Sequence, residues 1–251
     1  GGHSWIGLAV GGQSACGIAS DSTAWCWGIN TYGQIGDGTL GTDRSAPVAV
    51  TSGIKFASLS LSSTHSCGVS TSGRLWCWGR NADRELGADS TGSQYKVPVP
   101  VATADSTGFL AVAAGGLHTC ARGVSVTYCW GSNKYGQAGN RTISATDDSL
   151  PTPMDSTLGL LSLAADSAST VALATGNKAY WWGTRGSALS APASADRSLF
   201  PKAVANFTFT TFATGAGVSC GIYTRNYVFC WGSSTDPNFP AVDTPAGVPA
   251  P

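Results

Sequence analysis

The sequence predicts an all-β protein, a β-propeller with five blades of four antiparallel strands each. A short aromatic segment, Ala24-Trp25-Cys26-Trp27-Gly28, recurs four more times along the 251 residues. Its final Trp stands at positions 27, 78, 130, 182 and 231, in steps of 49 to 52 residues. A period of this length is typical of propellers and solenoids. The 33 glycines, and apolar segments separated by turn residues, indicate many short strands.

Each repeat predicts four strands in the same order. In the first repeat an apolar opening strand, Ile6–Val10, is followed by a cysteine strand, Ser14–Ile18, and then by the aromatic strand. Alternation along the aromatic strand places Cys26 on one face and the two tryptophans on the other. Both faces are therefore apolar, and we expect the strand to lie between two other sheets. The repeat ends in a Pro-led segment, Pro47–Val50, which belongs at a sheet edge because proline lacks a backbone N–H donor.

The repeats are expected to form one domain, residues 1–244, followed by a Pro-rich tail or linker at residues 245–251. Propellers with roughly 4–8 blades are known, so we expect the ring to close at five blades, with the N-terminal strand completing the last sheet. The last repeat is expected to end in an edge segment at residues 240–242. Further repeats outside this chain are the alternative to closure. The predicted repeats span residues 5–54, 55–107, 108–158, 159–208 and 209–244.

Eight cysteines form four local pairs, one in each of four repeats. In the fourth repeat both cysteine positions are replaced together, by Val171 and Trp181. A joint loss favours disulfides over buried free thiols, and zinc is less favoured because the CxxC spacing of metal knuckles is missing. Closing loops this short should stabilise the fold by roughly 2–3 kcal/mol per bridge. The predicted bridges are Cys16–Cys26, Cys67–Cys77, Cys120–Cys129 and Cys220–Cys230.

The predicted disulfides indicate an oxidising compartment. Two sequons, Asn140-Arg141-Thr142 and Asn206-Phe207-Thr208, predict N-glycosylation at Asn140 and Asn206. The chain begins without methionine, which is expected either after removal of a signal peptide or in an excerpt of a longer protein. We therefore expect a secreted or cell-surface protein.

Charge excludes nucleic acid as a partner, and hydropathy excludes insertion into a membrane. The formal net charge is zero, only 11% of residues are charged, and there is no basic run, so the electrostatic footprint of a nucleic-acid-binding protein is missing. No apolar stretch reaches the ~18 residues of a membrane span, and we expect no membrane insertion.

The sequence predicts no catalytic, cofactor-binding or metal-binding residues, and so a non-enzymatic protein. Two of the three histidines, His65 and His118, occupy the same repeat position, which favours a role in the scaffold. Asp147-Asp148 lies in a polar loop and is expected to be solvated, and Asp37-Gly38-Thr39 is expected to be a turn. The chain contains no Gly-rich phosphate loop, no Gly-x-Ser-x-Gly and no His-Glu-x-x-His motif.

Aromatic residues recur at two positions of every repeat. Their place on doubly covered strands favours packing between blades, with stacking on sugar rings as the alternative. Tyr32 and Tyr135 instead fall in loops, within Asn30–Gly36 and Asn133–Gly139. They are the candidates for exposed contacts with a partner.

These motifs resemble the repeat of the regulator-of-chromosome-condensation family. That repeat has an opening strand, a Gly-Gly-x-His-(Ser/Thr)-Cys step, then Trp-x-Trp-Gly and Asn-x-x-Gly-Gln-x-Gly. Gly115–Cys120 and Asn133–Gly139 match it best. The resemblance implies one four-stranded propeller blade per repeat. Founding members of the family have seven blades, whereas this chain shows five repeats.

The preferred function is an extracellular interaction or scaffold module in a surface, cell-wall or filament glycoprotein, with other extracellular proteins or sister subunits as partners. The alternative is a lectin-like propeller that binds glycans. The resemblance also implies guanine-nucleotide exchange with chromatin binding, which would need a reducing nuclear compartment and a basic surface. Enzyme inhibition, seen in a similar propeller that blocks β-lactamases, has no specific residue in its favour.

Overall fold

The computed structural model describes residues 2–88, 92–103, 108–144, 147–154, 157–184, 197–215, 218–223, 228–232 and 246–248, without the side chains of 205–207, 231–232 and 246–248. All regular secondary structure in these ranges is β-strand, as predicted. No described segment is a helix with the length and hydropathy of a membrane span.

Three separate sheets of four strands follow one another along the chain. The first sheet contains β1 (Trp5–Gly11), β2 (Ser14–Ala19), β3 (Ala24–Gly28) and β4 (Arg44–Ala49). The second contains β5 (Phe56–Leu61), β6 (His65–Ser70), β7 (Leu75–Arg80) and β8 (Gln94–Pro100). The third contains β9 (Phe109–Ala114), β10 (His118–Gly123), β11 (Thr127–Gly131) and β12 (Asp148–Pro153).

The fourth and fifth sheets share one long strand. The fourth contains β13 (Leu160–Ala165), β14 (Ser169–Ala174), β15 (Lys178–Thr184) and the first part of β16 (Arg197–Gly215). The rest of β16 opens the fifth, which continues with β17 (Val218–Tyr223), β18 (Val228–Gly232) and β19 (Ala246–Val248). Thr208 pairs with β15 and Phe209 pairs with β17, so β16 passes from the fourth sheet to the fifth between these two residues.

Every sheet is an antiparallel meander in chain order. The third strand has a glycine with a positive φ of 90° to 105° as its last or second-to-last residue, at Gly28, Gly79, Gly131 and Gly183. The register between the third and fourth strands shifts at each of these glycines. A β-carbon at Gly28 would collide with the backbone of Gln13 and Ser14, so glycine is required for this bulge.

Four apolar cores lie between successive sheets. Between the first and second sheets, Ile35 and Val50 pack with Phe56, Leu61 and Trp78. Equivalent clusters fill the next three junctions. The second tryptophan of the aromatic segment is fully buried in three of them, at positions 78, 130 and 182. The prediction that these tryptophans pack between blades is confirmed.

The two chain ends differ from the expectation. The prediction that the N-terminal strand completes the last sheet is wrong, because β1 pairs with β2 and forms the inner edge of its own sheet. The fourth strand of the last sheet is Ala246–Val248, paired with β18, within the segment that the sequence assigned to a tail. Strand pairing needs only backbone groups, so it left no hydrophobic signal there. The expected edge segment at 240–242 lies outside the described residues.

Candidate functional site

One face of the molecule carries the longest loops, and we call it the loop face. In an antiparallel meander the turn between strands one and two and the loop between strands three and four lie at the same end of the sheet. Contacts show this: Gln34, in the β3–β4 loop, donates from Nε2 to the Ser63 carbonyl, in the β5–β6 turn, at 3.2 Å. The loop face is formed by residues 11–13, 29–43, 62–64, 81–88, 92–93, 115–117, 132–144 and 166–168.

In each of the first three sheets, one backbone carbonyl of the long loop accepts a hydrogen bond from a tryptophan of the next sheet. The carbonyl of Gln34 accepts hydrogen bonds from Trp78 Nε1 at 2.8 Å and from Ser66 Oγ at 2.9 Å. The carbonyl of Glu85 accepts from Trp130 Nε1 at 2.8 Å. In the third loop, Trp182 Nε1 donates to the Gln137 carbonyl at 2.8 Å.

The asparagine and glycines of the motif shape this loop. Asn30 Oδ1 accepts from the Ile35 N–H at 3.1 Å, and the asparagines of the next two loops make the same bond. Gly36 has a φ of 77° and lies against the Trp78 indole, where a β-carbon would be 2.7 Å from Nε1. The motif therefore has a structural role: it caps the tryptophan of the following sheet.

The second loop carries a charged pair in place of the usual amide. Gln34 Oε1 accepts from the Tyr32 N–H, whereas Glu85 Oε2 accepts from the Asp83 N–H and Oε1 binds Arg80 Nη1 at 2.6 Å. The glutamate is fully buried. Ile29 stands in the first repeat where the second has Arg80. The acidic and basic residues thus occur together in one repeat.

Burial governs the ionisation of this pair. It raises the pKa of Glu85 against the hydrogen bonds and the attraction of Arg80, which oppose it. Burial also disfavours the charged guanidinium, but the attraction of Glu85 and Asp83 outweighs it and raises the pKa of Arg80. The carboxylate therefore depends on its guanidinium partner.

A cavity of about 360 Å³ opens at the centre of the loop face. Its wall is formed by inner-strand ends and turns from all five sheets, mostly through small side chains and backbone; representative lining residues are Val10, Gly12, Ser63, Gly116, Ser167 and Gly215. Asp166 is the acidic residue in this wall. The cavity could receive one side chain or a small polar group.

A second charged cluster lies between the second and third loops. Lys134 Nζ is 3.6 Å from Asp83 Oδ1 and 3.8 Å from Asp147 Oδ1. Burial raises the pKa of Asp147, and burial together with the charge of Asp147 raises the pKa of Asp148. The expectation that this pair is solvated is wrong, because both residues are half-buried and one oxygen of each carboxylate is inaccessible to solvent. Within the described ranges, no group of three His, Cys, Asp or Glu residues could hold a metal ion.

All four predicted disulfides are formed, each between the second and third strands of a sheet. The Cα atoms of each pair are 4.0 or 4.1 Å apart, and no cysteine is free. Six of the eight cysteines are completely buried, and the sulfurs of the first three sheets belong to the cores between sheets. The bonded pairs are Cys16–Cys26, Cys67–Cys77, Cys120–Cys129 and Cys220–Cys230.

The predicted surface residues have different environments. Tyr32 is exposed on the loop face, whereas Tyr135 is half-buried. Asn140 Oδ1 accepts from the N–H and Oγ1 of Thr142, at 3.2 and 2.6 Å, and its side-chain nitrogen makes no hydrogen bond to the described residues. Asn206 lies on β16, and its side chain is outside the described residues.

His65 and His118 are both buried, and each forms a hydrogen bond with a side chain of the next sheet. His65 Nε2 lies 2.9 Å from Thr119 Oγ1, and His118 Nε2 lies 2.8 Å from Thr170 Oγ1. Burial lowers the pKa of His65 to about 3, with contributions from the charges of His118 and Arg80, and lowers that of His118 to about 4. The scaffold interpretation is confirmed. Sequence reasoning missed the hydroxyl partners, which precede the cysteine or its replacement in the next repeat.

Sequence comparisons agree with this geometry. Two profiles described as "Regulator of chromosome condensation (RCC1) repeat" match the chain, one at residues 21–69 and 72–122 and the other at 5–34 and 56–84. The chain is a β-propeller of RCC1-type repeats. Among solved structures, this propeller superimposes on human WBSCR16 with a TM-score of 0.83 and 18% identity, over 98% of this chain and 68% of that one. Prp20p from Saccharomyces cerevisiae gives 0.80 and 17%, over 99% and 64%.

Curated relatives match the RCC1-type propeller over part of its length. The probable E3 ubiquitin-protein ligase HERC4 of Homo sapiens is 30% identical over 142 residues, and the E3 ubiquitin-protein ligase HERC2 of Mus musculus is 31% identical over 151 residues. These matches cover 55% and 57% of this chain but only 13% and 3% of the relatives. The ectodomain of the Physcomitrella patens receptor kinase CR4 has a TM-score of 0.54 at 20% identity, over 92% of this chain and 54% of that one.

Proposed function

We propose that this RCC1-type propeller is an extracellular, non-enzymatic interaction module that binds other extracellular proteins, or sister subunits of an assembly, through its loop face. The observation that carries the proposal is the set of four disulfide bridges, one in each of four sheets. Bridges of this kind persist in oxidising compartments and are rare in the cytosol and nucleus. Propellers of this fold also occur outside the cell, as the CR4 ectodomain illustrates.

The loop face offers the features of a docking surface. It combines exposed Tyr32, a central cavity and loops that the carbonyl–indole bonds hold in place. Tyrosine contributes a large contact area at low entropic cost and is enriched at interfaces. Rigid loops lose little conformational entropy on binding, which favours affinity.

The matches to HERC2, an E3 ubiquitin-protein ligase, and HERC4, a probable one, cover only 3% and 13% of those proteins, which gives no support for ligase activity in this propeller. Binding of Gsp1p and histones is named for Prp20p, and a net charge of zero gives no excess of negative charge for basic histones. His65 and His118 are engaged between sheets, which supports a non-enzymatic role.

Glycan binding is the second candidate, and Tyr32 is the aromatic side chain that favours it. The repeated tryptophans at positions 78, 130 and 182 are buried and cannot stack on a sugar. A lectin of this type would therefore rely on loop residues that differ between repeats.

Localisation is tested first, on intact cells of the source organism. A membrane-impermeant biotin reagent should label the protein, or the protein should appear in the medium, and deglycosylation should lower its mass if Asn140 or Asn206 carries a glycan. Recovery only from the cytosol or nucleus, without label or glycan, would contradict the proposal.

The binding face is tested by capture from extracellular fractions with matched baits. Tyr32→Ser should weaken capture of partners, because the exposed ring lies on the loop face. Val124→Ser is the control, because this exposed residue lies in the turn at the opposite end of the third sheet. Equal loss with both variants would argue against the loop face, and saturable binding of the wild-type chain on a glycan array would favour the lectin.

A further inference from the structure

The central cavity of the loop face is lined by one equivalent residue from each sheet. In every sheet this residue lies opposite the one that stands two positions before the cysteine or its replacement. The five residues are Gly11, Ser62, Gly115, Asp166 and Gly215. Among the described residues that line the cavity, Asp166 is the acidic one and none is basic. The wall therefore carries one negative charge, contributed by the fourth sheet.

The layers on either side of Asp166 differ in chemistry. Nearer the loop face, the described wall consists of glycine and serine, as at Gly12 and Ser63. One residue farther from that face it is apolar in the first four sheets, as at Val10 and Leu61. The small residues leave room for an extended side chain to enter. The apolar layer reduces hydration beneath the half-buried carboxylate, which strengthens its attraction for an opposite charge.

Backbone contacts fix the position of Asp166. Its carbonyl accepts from the Gly116 N–H at 3.0 Å, and its N–H donates to the Ser169 carbonyl at 2.8 Å. A β-carbon at Gly115 would lie 2.7 Å from the Asp166 carbonyl oxygen, so this close approach of the third sheet requires glycine. The backbone that carries the carboxylate is therefore ordered before binding, which favours affinity.

The fold does not require an acid at this position. In the first and third sheets the same turn forms with glycine, at Gly11 and Gly115. In the second sheet a neutral hydroxyl is sufficient, since Ser62 Oγ accepts from the His65 N–H at 3.1 Å. Ser167 Oγ lies 3.4 Å from Asp166 Oδ1, and a carboxylate can accept several further hydrogen bonds. The charge of Asp166 is thus left without a role in the turn.

We propose that the central cavity binds one cationic side chain, a lysine or arginine presented by a partner protein, and that its charged head pairs with Asp166. The aliphatic stem lies along the glycine and serine residues of the mouth, and the head donates charge-assisted hydrogen bonds to the carboxylate. A volume of about 360 Å³ accommodates one such side chain. This inference rests on the proposed function, because it specifies the contact that a partner makes at the centre of the loop face.

Analogues of the two side chains test the site without a partner. Amide chemical shifts of the 251-residue chain are followed by NMR during titration with n-butylguanidinium, n-butylammonium and uncharged n-butylurea. The two cations should give saturable shifts at Gly12, Gly116 and Asp166, and n-butylurea should bind about tenfold more weakly, because it lacks the charge. Equal binding of n-butylurea and the cations would overturn the proposal.

Matched variants assign the preference to one carboxylate. Asp166→Asn should weaken binding of both cations about tenfold, whereas Asp166→Glu should keep the preference for them over n-butylurea. Asp21→Asn is the control, because it removes the same charge from an exposed turn at the opposite end of the first sheet. Unchanged affinity in Asp166→Asn, or an equal loss in Asp21→Asn, would overturn the proposal. If Asp166→Asn does not fold, the wild-type chain and Asp166→Glu decide.

Capture from extracellular fractions tests whether the cation belongs to a partner protein. Asp166→Asn should lose partners that the wild-type chain retains, and n-butylguanidinium, but not n-butylurea, should displace these partners from the wild type. Capture that depends on Tyr32 but not on Asp166 would refute this inference and leave the loop-face proposal standing. Capture that depends on neither residue would contradict both. Analogue binding that displaces no partner would show that the cavity takes a free cation, which also overturns the proposal.

Discussion

The second and fourth sheets share one strand plan but fill the same position with different chemistry. In the second, Cys67 and Cys77 face each other across β6 and β7 and form a disulfide. In the fourth, Val171 and Trp181 occupy the same paired positions, and both are buried against Phe209 of the next sheet. The position therefore requires apolar volume between sheets, which a disulfide or an indole can supply.

This comparison separates the fold from its compartment. Because the fourth sheet forms without a bridge, the disulfides do not determine the blade geometry. Their contribution lies mainly in restricting the unfolded chain, on the chain-entropy account. The bridges thus add stability without setting the architecture. Because disulfides persist only in oxidising compartments, their presence indicates where the protein is found.

Removing the indole of the fourth sheet should have the largest effect. Trp181→Ala should lower the free energy of unfolding by about 3–5 kcal/mol, because a buried aromatic side chain leaves a cavity. Urea unfolding of the oxidised protein measures the change. Trp25→Ala, at a partly exposed position of the first aromatic strand, is the control and should cost less. Equal losses of stability in the two variants would show that the buried position of Trp181 contributes no more than the partly exposed position of Trp25.

The charged junction is a second difference between the two sheets, since β7 ends in Arg80 and β15 in Thr184. Arg80→Ile should cost about 3 kcal/mol, because Glu85 is then buried without its partner. Adding Glu85→Gln restores the residue types of the first junction, Ile29 and Gln34, and should recover most of the loss. Chemical denaturation gives the free energy of unfolding of both variants. A double variant as unstable as Arg80→Ile would contradict the claim that Glu85 depends on Arg80.

Removing one bridge should have a smaller effect than emptying the fourth-sheet position. Cys67→Ala with Cys77→Ala should lower the free energy of unfolding by roughly 2–3 kcal/mol, the value expected for a short closed loop. The folded protein should keep its β-sheet circular dichroism spectrum, as the unbridged fourth sheet implies. Loss of that spectrum at low temperature would mean that the blades need their disulfides to form.

Mild acidification should have the smallest effect on the free energy of unfolding, because the loss of stability accumulates with each pH unit below 6.5. The pKa of His65 is about 3 in the folded state, against 6.5 for an ordinary histidine, so between these limits the unfolded chain binds a proton that the folded one does not. Stability is therefore full above pH 6.5 and falls on acidification, by about 1.4 kcal/mol per unit for each such histidine.

Variants assign this slope to the histidines. His65→Ser, which introduces the residue type of the fourth sheet at Ser169, should lower the slope of stability between about pH 6.5 and 5 by one proton's contribution. Glu85 acts in the opposite sense, because its pKa is raised and the folded state then favours its protonated form. An unchanged slope in His65→Ser would contradict the buried neutral histidine.

The features that recur in every repeat could be predicted from the sequence, whereas features found at a single place in the chain mostly could not. The aromatic period and the paired cysteines indicated the sheets, the bridges and the packing of Trp78, Trp130 and Trp182, because each blade obeys the same local rules. The path of the chain ends could not be predicted, since it depends on curvature summed over successive junctions. The buried pair Arg80–Glu85 was not predicted, because the contact depends on the folded path of the loop whose Glu85 carbonyl accepts from Trp130.

Counting thiols in the protein from its natural source tests the central claim most directly, that this propeller is disulfide-braced and works in an oxidising compartment. Thiols are trapped by alkylation at the moment of cell disruption, and intact mass is recorded with and without prior reduction. The account predicts no alkylated cysteine before reduction and eight after it, from the four bridges of the structure. Eight alkylated cysteines in the unreduced protein would contradict it and place the propeller inside the cell.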